Sequence, residues 1–254
     1  MSTLKPMRKP PARANQRRSA AKTAASNGSS PTRLIAAALV VAVVVVVGIL
    51  IARSRTNAPI VASGVPVDQA VRPLNAPTGQ TAEGYWYKGN ADAPVTVTVF
   101  GDFQCPSCAA AYQRIEGGID TTFIETGKVK FIYHDFPLPM HPNAIPAAQA
   151  ARAAGEQGKF WAMHDLLYAR QAEWAEDRDV TKRLKGYAAD LGLDQQAFDK
   201  ALDDKQYAGV ISAAAADGTK QGINATPTYQ VDGKIVDTNG LAAAIDAALK
   251  AKGR

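Results

Sequence analysis

The only two cysteines of this 254-residue chain stand in one C-x-x-C motif, Cys105-Pro106-Ser107-Cys108. The alternating segment before the motif, 95–100, predicts a β-strand, and the segment after it, 109–115, predicts a helix. A helix N-terminus carries partial positive charge, which favours a thiolate on the first cysteine. The motif therefore requires a fold in which a strand-to-helix junction presents a pair of thiols.

Three kinds of chemistry use two cysteines at this spacing. A zinc site needs further ligands, but the chain has no second cysteine pair and its three histidines lack the usual spacing, so no metal site is predicted. A structural disulfide across so small a ring would constrain the unfolded chain only weakly. Thiol–disulfide exchange needs a thiolate and a second thiol one helical turn away. We expect Cys105 to be exposed, Cys108 to be turned inward, and Pro106 to occupy the first helical turn, where its missing N–H costs nothing.

The first 52 residues predict segments that lie outside any globular domain. Residues 1–33 contain eight Lys or Arg, no Asp or Glu and little apolar material, which is typical of a disordered tail. Residues 34–52 are 19 uncharged, mostly apolar residues, enough for one transmembrane helix. The basic tail predicts a single-pass protein of the cell membrane, with a cytoplasmic N-terminus and an extracytoplasmic catalytic domain. A cleaved signal peptide, with 61–63 as a small-residue cleavage site, is the alternative to this signal-anchor.

The net charge of +6 comes from the N-terminal part of the chain. Residues 56–254 contain 19 Lys or Arg and 23 Asp or Glu, so this part has a net charge of −4. Because the topology explains the basic tail, we do not expect a nucleic-acid partner.

The pattern beyond residue 52 predicts a linker followed by one domain. Residues 53–83 hold four prolines and few large apolar residues, which indicates an extended linker. The domain is expected at 84–254, with strands at 95–100 and 129–134, a long helical block, a hairpin turning at Asp232-Gly233, and a closing helix at 241–250. Asp194 is the expected N-cap of one helix in the block. This order of elements predicts an α/β fold with a large helical insertion.

Two motifs together resemble the DsbA-like thioredoxin-fold proteins. One is Phe100-Gly-Asp-Phe-Gln-Cys105-Pro-Ser-Cys108, and the other is Asn224-Ala-Thr-Pro-Thr-Tyr229 followed by the hairpin. The intervening segment 155–165 is similar to the helical insertion of the same family. The resemblance covers roughly residues 84–252 and implies a thioredoxin-like fold with that insertion.

The resemblance implies roles for individual residues. Cys105 would be the attacking nucleophile and Cys108 the resolving thiol. Pro227 would be a cis-proline that places Thr226 beside the sulfurs, where its backbone can pair with an extended substrate. A substrate groove would be formed with Phe103, Pro106 and Ser107, Phe103 giving an apolar rim.

The chain departs from the wider thioredoxin pattern at Val99, where thioredoxins and DsbA carry a buried acid. Asp102 is the nearest acid in the sequence and is a candidate proton acceptor for Cys108. The alternative is that Asp102 serves as a turn or capping residue. The dipeptide Pro106-Ser107 also contains no basic group that would further stabilise a thiolate.

We therefore expect a thiol–disulfide oxidoreductase without a cofactor, which oxidises cysteines of exported proteins through the Cys-Pro-Ser-Cys dithiol. Its partners would be reduced or unfolded exported proteins, the membrane and a membrane quinone-linked oxidase that restores the disulfide. The direction follows from the predicted compartment, because disulfides persist outside the cytosol. A reductase or isomerase on the same fold is the alternative, and a non-catalytic peptide-binding module is a third hypothesis.

Overall fold

The computed structural model describes residues 64–254. The tail predicted for 1–33, the membrane helix predicted for 34–52 and the first part of the linker predicted for 53–83 lie outside the described residues. Within 64–254, no helix is both long enough and apolar enough to cross a bilayer.

One mixed sheet of six strands organises the described residues. Its strand order is β1-β2-β4-β3-β5-β6, and only the central pair β3 and β4 is parallel. The chain thus has the thioredoxin-like α/β fold that the sequence predicted. The strands are β1 (Thr78–Gln80), β2 (Trp86–Lys88), β3 (Val95–Gly101), β4 (Val129–Asp135), β5 (Thr228–Val231) and β6 (Lys234–Val236).

Helices precede, connect and follow these strands, and six of them form the predicted insertion between β4 and β5. Helix α2 follows β3 and contains two π-helical turns, Tyr112–Glu116 and Asp120–Ile124. The helices are α1 (Val67–Ala70), α2 (Pro106–Ala111, continuing to Ile124), α3 (Ala144–Gly155), α4 (Phe160–Ala169), α5 (Gln171–Trp174), α6 (Val180–Asp190), α7 (Gln195–Asp203), α8 (Ala208–Lys220) and α9 (Leu241–Ala251).

The central strands fix where the cysteine motif lies. Val95, Val97 and Val99 alternate with less buried residues along β3, so one face of the strand is fully buried, and its backbone pairs with β4 on one side and β5 on the other. Parallel strands need a crossover, and α2 provides it between β3 and β4. The carboxyl ends of both strands therefore meet at one sheet edge, and the cysteine motif follows directly from β3.

Local sequence signals predict several boundaries correctly. Asp232 and Gly233 both have positive φ, 48° and 77°, as the two-residue turn between β5 and β6 requires. The side chain of Asp194 accepts a hydrogen bond from the N–H of Ala197 at 3.0 Å and so caps α7. These features confirm the predicted hairpin and the predicted helix start.

Part of the segment predicted as a linker contributes to the fold. Strand β1 pairs with β2, and the backbone N–H of Arg72 donates to the Asp165 carboxylate at 2.9 Å. The Arg72 guanidinium also lies over the Tyr112 ring, 4.1 Å from its centroid. Both strands are three residues long, so their alternation is too short to be recognised in the sequence.

Candidate active site

The two cysteines lie at the start of α2, where the fold brings several polar groups together. Cys105 is the N-cap residue, with extended backbone angles, and Pro106 is the first helical residue. The carbonyl oxygen of Cys105 accepts hydrogen bonds from the N–H groups of Cys108, at 3.1 Å, and Ala109, at 3.2 Å. Both cysteines are free thiols, so the site is in its dithiol form.

The second motif packs against the first, although it is far away in sequence. The Thr226–Pro227 peptide bond is cis, as the resemblance implies. The sulfur of Cys105 lies 3.5 Å from the Thr226 carbonyl oxygen, and both residues of the cis peptide are half-buried. Because this segment covers the sulfur, Cys105 is only 6% exposed, against 3% for Cys108. The two cysteines therefore differ less in exposure than the sequence suggested.

The environment gives the two thiols opposite acidities. The pKa of Cys105 falls from an ordinary 9.0 to about 5, chiefly because the Cys108 thiol donates a hydrogen bond to the sulfur. The Thr226 hydroxyl and the N–H groups of Cys108 and Ser107 lower this pKa further, while burial opposes them. Burial raises the pKa of Cys108 well above its ordinary value, and its hydrogen bond to Cys105 adds to that increase. The helix N-terminus thus helps to lower the pKa of Cys105 as expected, but the Cys108 thiol makes the largest contribution.

The carboxylate of Asp102 makes hydrogen bonds that hold the turn and the neighbouring loop. One oxygen accepts from the N–H of Gln104 at 2.7 Å, and the other accepts from the N–H of Leu138 at 2.9 Å and lies 2.6 Å from His141 Nδ1. It is the backbone of Asp102, not the carboxylate, that lowers the pKa of Cys108. These contacts are the ones expected if Asp102 has the alternative role, that of a turn residue.

Phe103 lies beneath the site, which corrects the implied apolar rim. The residue is 1% exposed, and its ring stacks on Tyr133 and contacts Tyr168, with centroids 4.8 and 5.1 Å apart. The hydroxyl groups of these tyrosines are hydrogen-bonded to each other at 2.9 Å. Since the aromatic cluster takes up the Phe103 side chain, only the neighbouring Pro106 and Ser107 are exposed at the helix start.

Three polar residues that the sequence analysis missed connect this turn to the helical insertion. The Gln171 amide donates to the carbonyl groups of Phe103 and Cys105. Gln104 and Asn143 join the same region to the end of α5. No local signal marks these residues, because their partners are 32 to 71 positions away in the chain. Within residues 64–254, no group of three or more His, Cys, Asp or Glu side chains is arranged to hold a metal ion.

Comparison with known proteins assigns the fold to a family. The family model described as Thioredoxin matches residues 81–251. The chain belongs to the thioredoxin family. Within this family it resembles the DsbA-like thiol–disulfide oxidoreductases, which confirms the resemblance seen in the sequence.

Two solved thioredoxin-family structures illustrate the match. BdbD from Bacillus subtilis is 28% identical, with a TM-score of 0.61, over 69% of this chain and 99% of BdbD. MdbA from Corynebacterium diphtheriae, described as a thiol-disulfide oxidoreductase, is 21% identical, with a TM-score of 0.60, over 72% of this chain and 98% of MdbA. The likeness to MdbA shows a shared fold.

The curated relatives of this thioredoxin-family chain are longer proteins. The Na(+)/H(+) antiporter NhaA 1 of Salinispora arenicola is 37% identical over 148 residues, which is 58% of this chain and 21% of the antiporter. The chain spans about a fifth to a quarter of the length of the curated relatives it matches.

These relatives correct the predicted localisation. They are named as antiporters, membrane proteins with several spans, rather than as single-pass proteins. The prediction of a single-pass protein of the cell membrane with a cytoplasmic N-terminus and an extracytoplasmic catalytic domain is therefore wrong. The prediction depended on the apolarity of 34–52 and on the charges to either side of it. Both are local properties of the sequence, and neither shows what kind of protein contains a domain.

Proposed function

We propose that this chain is a thiol–disulfide oxidoreductase that forms disulfides in reduced, unfolded exported proteins through Cys105 and Cys108. The observation that carries the proposal is the placement of both thiols at the start of α2 with the Cys105 sulfur 3.5 Å from the Thr226 carbonyl oxygen, a geometry in which the two thiols have opposite acidities. A low pKa makes Cys105 a good leaving group and stabilises the dithiol relative to the disulfide. Such a pair oxidises ordinary thiols.

The reaction starts from the Cys105–Cys108 disulfide. A substrate thiolate attacks the Cys105 sulfur, a new S–S bond forms to the substrate, and the Cys105–Cys108 bond breaks. Cys108 leaves as a thiolate and takes up a proton, because its folded-state pKa is raised. A second substrate thiolate then attacks the substrate sulfur of the mixed disulfide and releases Cys105 as a thiolate. The substrate loses two electrons, and the protein gains them.

The cis-proline segment is the proposed binding surface for the substrate. The backbone of Thr226 lies beside the Cys105 sulfur, so an extended chain that pairs with it would bring its own thiol to that atom. Main-chain hydrogen bonds of this kind give affinity with little dependence on sequence. Pro106, Ser107 and Pro227 would form the remaining groove.

The disulfide must be regenerated after each cycle. Two electrons have to pass from the dithiol to an acceptor, for which we propose a quinone-linked oxidase of the membrane. No cofactor is required in the chain itself, since both electrons move between sulfur atoms.

Oxidative refolding tests the proposal. The full-length chain, oxidised beforehand, is mixed with a reduced, unfolded ribonuclease, and the appearance of disulfides and of ribonuclease activity is followed. We expect both Cys105→Ser and Cys108→Ser to reduce the rate to background, because neither variant can form the Cys105–Cys108 disulfide that takes two electrons from the substrate. Equal rates for Cys105→Ser and the unaltered protein would contradict the proposal. Equilibration with glutathione buffers gives the direction, because a strongly reducing potential would indicate a reductase.

A further inference from the structure

The side-chain amide of Gln171 contacts the catalytic turn from the helical insertion. Its Nε2 atom donates to the carbonyl oxygen of Phe103 at 2.7 Å and to that of Cys105 at 3.0 Å. Gln171 is the first residue of α5, and it is 66 positions from Cys105 in the chain. One side chain thus holds two backbone groups on either side of Gln104.

We propose that Gln171 is a positioning residue for thiol–disulfide exchange, because it fixes the peptide groups that direct the start of α2 at the Cys105 sulfur. This inference rests on the function proposed above. Gln171 would not contact the substrate or the reacting sulfurs. It would act through the backbone of the turn.

The peptide group between Phe103 and Gln104 is held at both ends. Its carbonyl oxygen accepts from Gln171, and its N–H donates to the Asp102 carboxylate at 2.7 Å. A peptide group is planar, so these two hydrogen bonds together set the direction in which the chain enters Cys105. Loss of the Gln171 amide would remove one of the two constraints.

The carbonyl group of Cys105 is the second point of control. As the N-cap residue, Cys105 has no side-chain capping hydrogen bond, and Pro106 has no N–H to contribute. The Cys105 carbonyl accepts the first hydrogen bonds of the helix, from Cys108 and Ala109, and Gln171 supplies a third donor. The direction of this carbonyl therefore influences where the Cys108 thiol and N–H lie relative to the Cys105 sulfur.

The segment that carries Gln171 is itself attached to the same turn. The Gln104 side chain donates to the carbonyl oxygen of Ala175 at 2.6 Å and accepts from the N–H of Asn143 at 2.6 Å. The Asn143 amide in turn donates to the carbonyl groups of Ala175 and Asp177, at 3.0 and 2.9 Å. Because these contacts fix 171–177 against the catalytic turn, Gln171 is anchored rather than free to move away.

The test is Gln171→Met, which keeps the length of the side chain and removes its donors. The pH dependence of Cys105 alkylation is measured on the reduced full-length chain, together with unfolding in urea. We expect the apparent pKa of Cys105 to rise by about one unit, which is roughly a tenfold fall in its ionisation constant. The reduction potential, measured against glutathione, should become more reducing.

The matched control is Gln195→Met in α7. Gln195 Nε2 also donates to a backbone carbonyl, that of Lys185 at 3.1 Å, and to the Asp199 carboxylate. We expect this change to lower the urea midpoint while the pKa of Cys105 stays as in the unaltered protein. A shift in both variants would mean that general loosening, not positioning, moves the pKa, and would overturn the inference.

The remaining outcomes are also decisive. If Gln171→Met folds and Cys105 keeps its unaltered pKa, the positioning role is wrong while the proposed function stands. If the unaltered protein itself shows an ordinary thiol pKa, the proposed function fails first. If Gln171→Met does not fold, Gln171→Asn replaces it, since its shorter side chain cannot reach both carbonyl groups. An unchanged pKa in that variant would equally overturn the inference.

Discussion

The Cys105 sulfur and the Thr226 carbonyl oxygen lie 3.5 Å apart, although 121 residues separate them in the chain. This contact joins the start of α2 to the cis-proline segment before β5. It covers the sulfur, and it places the Thr226 backbone where an extended substrate would approach. The whole proposed reaction depends on this junction of two distant segments.

The stability of the reduced protein should depend on pH through Cys105. Its pKa is lowered from 9.0 to about 5 on folding, so its contribution to folding is fully present above pH 9. That contribution is lost as the pH falls from 9 towards 5, at ~1.4 kcal/mol for each unit of pKa shift at most. The contribution of Cys105 is measured by urea unfolding of the dithiol form and of Cys105→Ser between pH 5 and pH 9. Parallel pH profiles for the two proteins would contradict a lowered pKa.

Thr226→Val should make Cys105 less acidic. The Thr226 hydroxyl is buried and has no hydrogen-bond partner among the described residues, and it lowers the pKa of both thiols. Valine has nearly the same shape without the hydroxyl. We expect the pKa of Cys105 to rise by roughly half to one unit, measured by alkylation against pH. The control is Thr228→Val, because the Thr228 hydroxyl donates instead to the Ala225 carbonyl at 2.7 Å. An equal shift in both variants would show that the Thr226 hydroxyl has no specific effect.

Asp102→Asn should destabilise the catalytic turn. The Asp102 carboxylate accepts from two backbone N–H groups and contacts His141 Nδ1, and an amide would turn a donor towards one of them. We expect a loss of about 1–3 kcal/mol in the free energy of unfolding, measured in urea. Asp246→Asn, at an exposed position of α9, is the control. Unchanged stability with slow release from the mixed disulfide would instead indicate that Asp102 accepts a proton from Cys108.

Lys88→Met should remove one of the two cations that face the buried carboxylates of Glu116 and Asp120, leaving only the Arg72 guanidinium among the described residues, at 3.6 and 3.7 Å. Lys88 is 2% exposed, and its Nζ lies 2.6 Å from an Asp120 oxygen and 3.7 Å from a Glu116 oxygen. Removing one partner of a buried pair costs about 3–5 kcal/mol of stability. Lys200→Met, which breaks an exposed pair with Asp204, should change it by less than about 1 kcal/mol. If urea unfolding gave similar losses of unfolding free energy for the two variants, the buried ion pairs of Lys88 would contribute no more to stability than an exposed pair.

Gly101→Ala should disturb the end of β3 through a steric conflict. A Cβ at Gly101 would lie 2.7 Å from the Tyr133 hydroxyl, closer than such atoms approach in folded proteins. We expect about 1–3 kcal/mol of destabilisation by urea unfolding, because the buried ring has little room to move. Gly240→Ala is the control, since no atom lies within 4 Å of its Cβ position. Equal stability of the two variants would mean that Tyr133 relocates easily.

The sequence by itself determined the local features of this protein. The alternation along β3, the proline after Cys105, the Asp232-Gly233 turn and the Asp194 cap are all encoded within a few residues. Each one restricts backbone angles or supplies a hydrogen bond to a near neighbour, so its effect does not depend on the rest of the fold. The thioredoxin-like fold followed from their order, together with the two family motifs.

Only the tertiary structure decided which distant groups meet. It turned Phe103 into the aromatic cluster, bound the Asp102 carboxylate to the 138–141 loop, and brought Gln171 to the carbonyl groups of the catalytic turn. The Cys105 pKa likewise depends on Thr226, far along the chain. Such contacts arise when whole helices and strands pack against each other. A short segment of sequence does not specify which surfaces will be in contact.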